Sequence, residues 1–338
     1  MALSRTTFLR GLLALAAASC GPSSKGAPAR LINASYDPTR ELYAEINTAF
    51  TAQWASTHAA GLIVEMSNAG SGHQARAVID GMPADVATLA TPYDVDQIAK
   101  AGLIDEDWRE RLPYRSAPFT STIVFLVRAD NPKGIRDWSD LTQAGLSVVT
   151  PNPKTSGGAR WNYLAAWAYA LSKNNNVQAA AREFVARLYA NVSVLDSGAR
   201  AATTTFVQRG IGDVLITWEN EAFLAKREAG ADVLTIVTPS LSILAEPPVA
   251  WIDRNIDRRG TRDAAEAYLH FLYTPQGQEI GARHFLRPSD PAVLVQHPEF
   301  ASIPLVSVDD IFGGWAAAQQ LHFADGAIFD QIMGGRRA

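Results

Sequence analysis

Four times along this chain a short apolar run empties into a turn of small residues that opens a helical pattern. The turns are Tyr36-Asp37-Pro38, Gly70-Ser71-Gly72, Thr155-Ser156-Gly157-Gly158 and Ser197-Gly198-Ala199-Arg200. Strand, tight turn and helix in repeated order bury their apolar faces by laying the strands side by side, mostly parallel, under covering helices. The expected class is α/β. The first strand is expected at 30–36, with Asp37 as N-cap of a helix running to about Phe50 and Pro38 where its missing N–H costs nothing. Further strands are expected at 61–66, 85–90, 120–128, 146–150 and 213–218, with helices opening near 71, 156 and 199. Helical patterns return at 261–273, at 275–284 and in the final tail, and no period of 20–50 residues recurs.

Extended segments around 119–128 and 244–252 bracket the central part of the chain. This fits one domain inserted within another and joined by two crossing strands; patterning alone leaves a single large sheet equally open. At 338 residues and 47% hydrophobic, the chain is long enough for two cores. Its net charge of −4, without a basic block or aromatic-basic interleaving, excludes a general nucleic-acid binder.

The one cysteine, Cys20, closes a segment with Arg5 and Arg10 in front and the apolar run Gly11–Ala18 behind them. That layout is a secretory signal, too short for a spanning helix. Ala17-Ala18-Ser19-Cys20 resembles a bacterial lipoprotein box, in which the cysteine becomes the lipidated first residue; a plain cleavable signal leaves Cys20 incidental. We expect residues 1–19 as signal and 20–29 as a flexible tether. Removing the signal takes two arginines with it, so the formal charge falls from −4 to −6. With no second cysteine there is no intrachain disulfide, and stability rests on the cores.

The four turns share a chemistry. The first N–H groups of a helix have no intrahelical acceptor, and the helix field favours negative charge there. Two glycines early in a helix cost roughly 1 kcal/mol each relative to alanine, which calls for an offset at Gly157 and Gly158 such as a bound oxygen or close packing. Each residue has a blander reading. Asp37 can be an ordinary cap whose backbone N–H stays available, and Ser71 and Ser156 can be caps or ligands. Trp218 can be core or can lend its indole N–H. Arg160 and Arg200 fit better as partners of carboxylates, or as braces for helix starts, than as direct ligands.

Enzyme motifs are absent. Ser71 lies between Ala69-Gly70 and Gly72-His73, without the glycines of a nucleophile elbow. Gly70–Arg76 lacks the Lys of a phosphate loop, and Gly210-Ile211-Gly212 is no dinucleotide fingerprint. The six histidines have no zinc or iron spacing. His73 is the one to watch, since it falls in the first turn after Ser71.

At these residues the chain resembles the bacterial periplasmic sulfate-binding proteins. The likeness is carried by Ser35-Tyr36-Asp37-Pro38-Thr39-Arg40-Glu41, by Gly70-Ser71-Gly72 with Gln74–Gly81, by Asp85–Asp96, by Asn152–Tyr163, by Asp196–Arg200 and by Trp218–Glu221. The resemblance implies a two-lobed periplasmic-binding-protein fold of type II, each lobe a mixed, mostly parallel sheet flanked by helices. Its lobes would be 30–118 with 249–338, and 119–248, with the ligand in the cleft. It also implies a sulfate site built from the backbone N–H of Asp37, the serine at Ser71, the Ser156 hydroxyl, the N–H groups of Gly157, Gly158 and Ala199, and the Trp218 indole. Arg200 would brace that backbone. The implied role is sulfate or thiosulfate binding in the periplasm and delivery to the permease of an ABC importer, by a monomer with no cofactor, metal or enzyme activity. The alternative is another tetrahedral oxyanion such as molybdate or tungstate. Asn68-Ala69 stand where the family has His-Gly, and His73 where it has lysine; neither change removes a ligand.

Overall fold

The computed structural model describes residues 28–230 and 232–335. The expected signal, 1–19, and Cys20 therefore lie outside the described residues. Strand β1 (Ala29–Tyr36) leads through a 3-10 turn (Asp37–Thr39) into α1 (Arg40–Thr57). There follow β2 (Leu62–Ala69), α2 (Ser71–Ile79), β3 (Val86–Thr88) and α3 (Pro92–Lys100). After the first crossing come β4 (Ile123–Arg128), β5 (Val148–Pro151), α4 (Gly157–Lys173), α5 (Gln178–Ala190) and β6 (Val192–Asp196). Next are α6 (Ala199–Val207), β7 (Val214–Trp218), α7 (Glu219–Ala229), β8 (Leu234–Val237) and β9 (Val249–Trp251).

These strands form two separate sheets, not one. The first runs β9-β3-β1-β2, with β1 parallel to both β2 and β3 and β9 antiparallel to β3. The second runs β6-β5-β7-β4-β8, with β5 parallel to β6 and β7, and β4 antiparallel to β7 and β8. Strand β4 is buried on both faces from Ile123 to Val127, which explains its unbroken apolar run. The connecting segments cross side by side: Ser121 and Ala245 exchange backbone hydrogen bonds of 2.8 and 2.9 Å, and Thr122 Oγ1 donates to Ile243 O at 3.0 Å. Two cores follow. Leu31, Ile46, Phe50, Tyr268 and Phe271 belong to the first lobe, and Phe125, Trp138, Trp161, Trp167 and Tyr189 to the second.

Two expectations need correction. The resemblance places the tail with the first lobe, as the end of 249–338. Instead its last helices bury Trp315, Phe323 and Phe329 in the second lobe's core, with Trp315 edge-on to Trp161 and Phe329 against Tyr163 and Tyr189. Lys154 ties the tail down through Asp325 and Asp330 at 2.9 and 3.0 Å. Helical amphipathicity says that a face will be buried, not which sheet will bury it. Helix α4 is buried from Gly157 through Leu171 and needs a cover on its far side, which the tail supplies. The second correction concerns Asp37, which is not a side-chain cap. It has already entered the 3-10 turn, so its carboxylate lies beside the helix and accepts from Arg40 Nη2 at 2.6 Å.

Candidate functional site

The starts of α2, α4 and α6 meet where the lobes touch. Glycine makes this approach tight. A Cβ on Gly157 would lie 2.9 Å from Ala90 Cβ, 3.0 Å from Ser71 Cβ and 3.3 Å from Asp94 Oδ2, all in the first lobe. One on Gly70 would lie 2.9 Å from the Thr155 carbonyl of the second lobe. One on Gly158 would overlap the Tyr36 hydroxyl and sit 3.2 Å from Trp218 Nε1. The early glycines of α4 are thus explained at least by packing. Trp161 Nε1 also crosses the seam, donating to Ala90 O at 2.8 Å.

Most residues singled out in the sequence come together here. Ser71 and Ser156 are fully buried, Ala199 and Trp218 nearly so, and Gly157 and Gly158 form the buried first turn of α4. Ser156 is the N-cap of α4, its Oγ accepting from Ala159 N–H at 3.3 Å and lying beside the Tyr36 hydroxyl. Ser71 is different. Its hydroxyl donates to Asp94 Oδ2 at 2.6 Å and accepts from Ala90 N–H at 3.0 Å, so what it can offer a ligand is the backbone N–H at the start of α2. The Trp218 indole N–H rests on Gly158 O at 3.3 Å. Half-buried Asp37 opens the turn against which α6 packs, and Thr155 Oγ1 binds Ser197 O at 2.8 Å, tying the start of α6 to that of α4. His73 stays exposed on α2, outside the cluster.

The charges around the seam are already matched. Asp94 is buried and accepts from Ser71 Oγ, from Thr91 Oγ1 at 2.8 Å and from Arg160 Nη1 at 3.2 Å, so this carboxylate is compensated from both lobes. Arg160 further donates from Nε to Pro153 O at 3.2 Å. Arg200 reaches Glu41 of the first lobe at 2.8 Å and Glu221 of the second at 3.2 Å. Burial pushes the Glu221 carboxyl up to about 7, with Arg200 opposing the rise and Glu41 adding to it. Behind Trp218, Glu219 holds Arg287 through two 2.7 Å bonds.

Sequence reasoning gave no role to two residues here. Asp94, the organiser of the seam, is read locally as first-turn acid of α3, whose cap is Thr91. Tyr36, at the end of β1, places its hydroxyl over the first turn of α4, with its ring 5.7 Å from that of Trp218. Burial, reinforced by nearby Glu221, pushes its phenol well above the ordinary value, so it stays neutral. Only long-range geometry reveals either.

Among the described residues no group of three His, Cys, Asp or Glu is placed to hold a metal, and no helix is long and apolar enough to cross a membrane. What converges is a set of uncharged N–H and O–H donors from both lobes, suited to an anion that only accepts.

Residues 31–287 match the family model described as bacterial extracellular solute-binding protein. A sulfate-binding protein of Escherichia coli is 58% identical over 304 residues, covering 90% of this chain and 92% of its own. A thiosulfate-binding protein of Pseudomonas aeruginosa is 47% identical over 327 residues, covering 96% and 98%. Among solved structures, the sulfate-binding protein SubI of Mycobacterium tuberculosis matches with a TM-score of 0.79 at 36% identity, covering 87% of this chain and 99% of that one. The chain belongs to the bacterial extracellular solute-binding proteins, in the group that contains the sulfate-binding and thiosulfate-binding proteins.

Proposed function

We propose that this chain binds sulfate, and thiosulfate as a second ligand, between its lobes in the periplasm and delivers it to the permease of an ABC importer. It acts as a monomeric binder, not a catalyst, held to the membrane through a lipid on Cys20. The observation that carries the reading is the meeting of three helix starts and an indole N–H at a seam where the buried carboxylate nearest those starts, Asp94, is already satisfied by three donors. The ligands would be the backbone N–H groups of Asp37, Ser71, Gly157, Gly158 and Ala199, the Ser156 hydroxyl and the Trp218 indole, with Arg160 and Arg200 as braces.

Sulfate carries no proton at pH 7 and accepts from every direction. Hydrogen phosphate brings a proton that such a lining leaves buried and unpaired, at a cost of about 1–3 kcal/mol. Because the donors belong to different lobes, a bound anion bridges them and favours the closed arrangement, the shape a transporter would read. Calorimetric titration at pH 7 of the chain lacking its first 29 residues tests the reading. Sulfate and thiosulfate should bind at least tenfold more tightly than phosphate or molybdate. Equal binding of phosphate would defeat the donor-only argument, and preference for molybdate would reassign the ligand.

A further inference from the structure

Arg287 and Glu219 form a buried ion pair that joins the two lobes beside the first crossing. The backbone at Arg287 and Pro288 pairs antiparallel with Thr120 and Phe119, and the neighbouring Leu286 lies with Phe119 in the first lobe's core. Glu219 opens α7 of the second lobe, one residue after Trp218, and its N–H donates to Thr122 O in the crossing at 2.8 Å. Its carboxylate takes Arg287 Nε and Nη2 on separate oxygens, each at 2.7 Å, and its side chain is only 2% exposed. Nη2 also donates to Ala301 O at 2.8 Å, and the guanidinium lies 5.5 Å from the centre of the Phe300 ring.

We infer that Arg287 is a positioning residue of the anion site: through its fork on Glu219 it sets the Trp218 indole where the ligand is met. This rests on the proposed function and adds to it a residue that stays out of the ligand shell. A buried pair of charges is weak evidence for stability, since apolar side chains of similar volume often do as well. What a two-point guanidinium–carboxylate contact adds is direction, because it fixes both planes at once, as a lysine cannot. Here that direction passes to Trp218. The residue is held on one side by its strand pairing with Ile123 and on the other by Glu219, which is locked to the first lobe. Its ring rests against Tyr36 and Trp161, 5.7 and 6.4 Å away between centres, and its N–H points to the first turn of α4. Arg287 also neutralises a carboxylate that would otherwise stand, unpaired, one residue from the indole.

The test is a double-mutant cycle between Arg287→Lys and Trp218→Phe in the chain lacking its first 29 residues, with sulfate affinity read by calorimetry. Lysine keeps the positive charge beside Glu219 and gives up the fork, so the cycle isolates geometry from charge. Arg287→Lys alone should weaken sulfate binding about three- to tenfold and shrink the ligand-induced tryptophan fluorescence change. In the Trp218→Phe background the same substitution should change affinity by less than about twofold, because the group it positions is gone. Affinity within about twofold of the unchanged chain, or the same loss in both backgrounds as a merely structural role would give, overturns the inference. If the unchanged chain itself fails to bind sulfate, the proposed function falls instead, so the two failures are distinct. Should Arg287→Lys fail to fold, Glu219→Gln with Arg287→Met, which removes both charges together, is read against Trp218→Phe in the same way.

Discussion

Gly157→Ala separates closure from folding. The new methyl would meet Ala90 Cβ at 2.9 Å, Ser71 Cβ at 3.0 Å and Asp94 Oδ2 at 3.3 Å, where carbon atoms normally rest about 3.5–4.0 Å apart. All three neighbours belong to the first lobe, whereas Gly157 begins a helix of the second. The overlap therefore arises only when the lobes meet. Overpacking of this kind costs about 1–3 kcal/mol. The helix-forming advantage of alanine, up to about 1 kcal/mol, is gained in open and closed forms alike and drops out of the difference. Sulfate affinity should fall roughly five- to hundredfold while the ligand-free melting temperature holds or rises slightly. Calorimetry and thermal unfolding on the same preparation read both. Gly198→Ala is the control, because its Cβ would meet nothing within 4 Å. Unchanged affinity in Gly157→Ala, or equal losses in both variants, would refute the reasoning.

Further outcomes follow from single groups. Trp218→Phe keeps an aromatic ring against Tyr36 and Trp161 but loses the indole N–H, so sulfate should bind about tenfold more weakly and the ligand-induced fluorescence change should shrink. Burial raises the Glu221 carboxyl from 4.5 to about 7, so between those values the native state holds more protons than the unfolded one. Its contribution to stability is present in acid and fades as pH rises through 7, by on the order of 3 kcal/mol; Glu221→Gln should remove that slope in urea unfolding. His322 behaves oppositely. Burial lowers it to about 4, so stability should drop by roughly 3 kcal/mol between pH 7 and pH 4 as the unfolded chain takes the proton first, and His322→Gln should flatten that fall.

What could be read from the sequence was whatever is decided locally. The turns at Ser71, Ser156 and Ala199 open helices as expected, because N-terminal turn chemistry is settled within a few residues. The strands at 123–128 and 214–218 declare themselves by apolar runs. What escaped is decided at a distance. Asp94 lies 23 residues from Ser71 and 66 from Arg160, so no spacing rule joins them. The tail meets Lys154 across 171 and 176 residues, and its helices had no visible claim on either lobe. Asp37 lies inside a 3-10 turn that begins one residue before the helix start a capping Asp37 would give.

The most direct measurement is a crystal structure of the chain lacking its first 29 residues, grown with selenate, with the selenium located by anomalous scattering. The account predicts one peak between the starts of α2, α4 and α6, its oxygens within hydrogen-bond reach of the Gly157, Gly158 and Ala199 amides and the Trp218 indole. A peak away from that seam, or an anion held there by a lysine or arginine side chain, would contradict it.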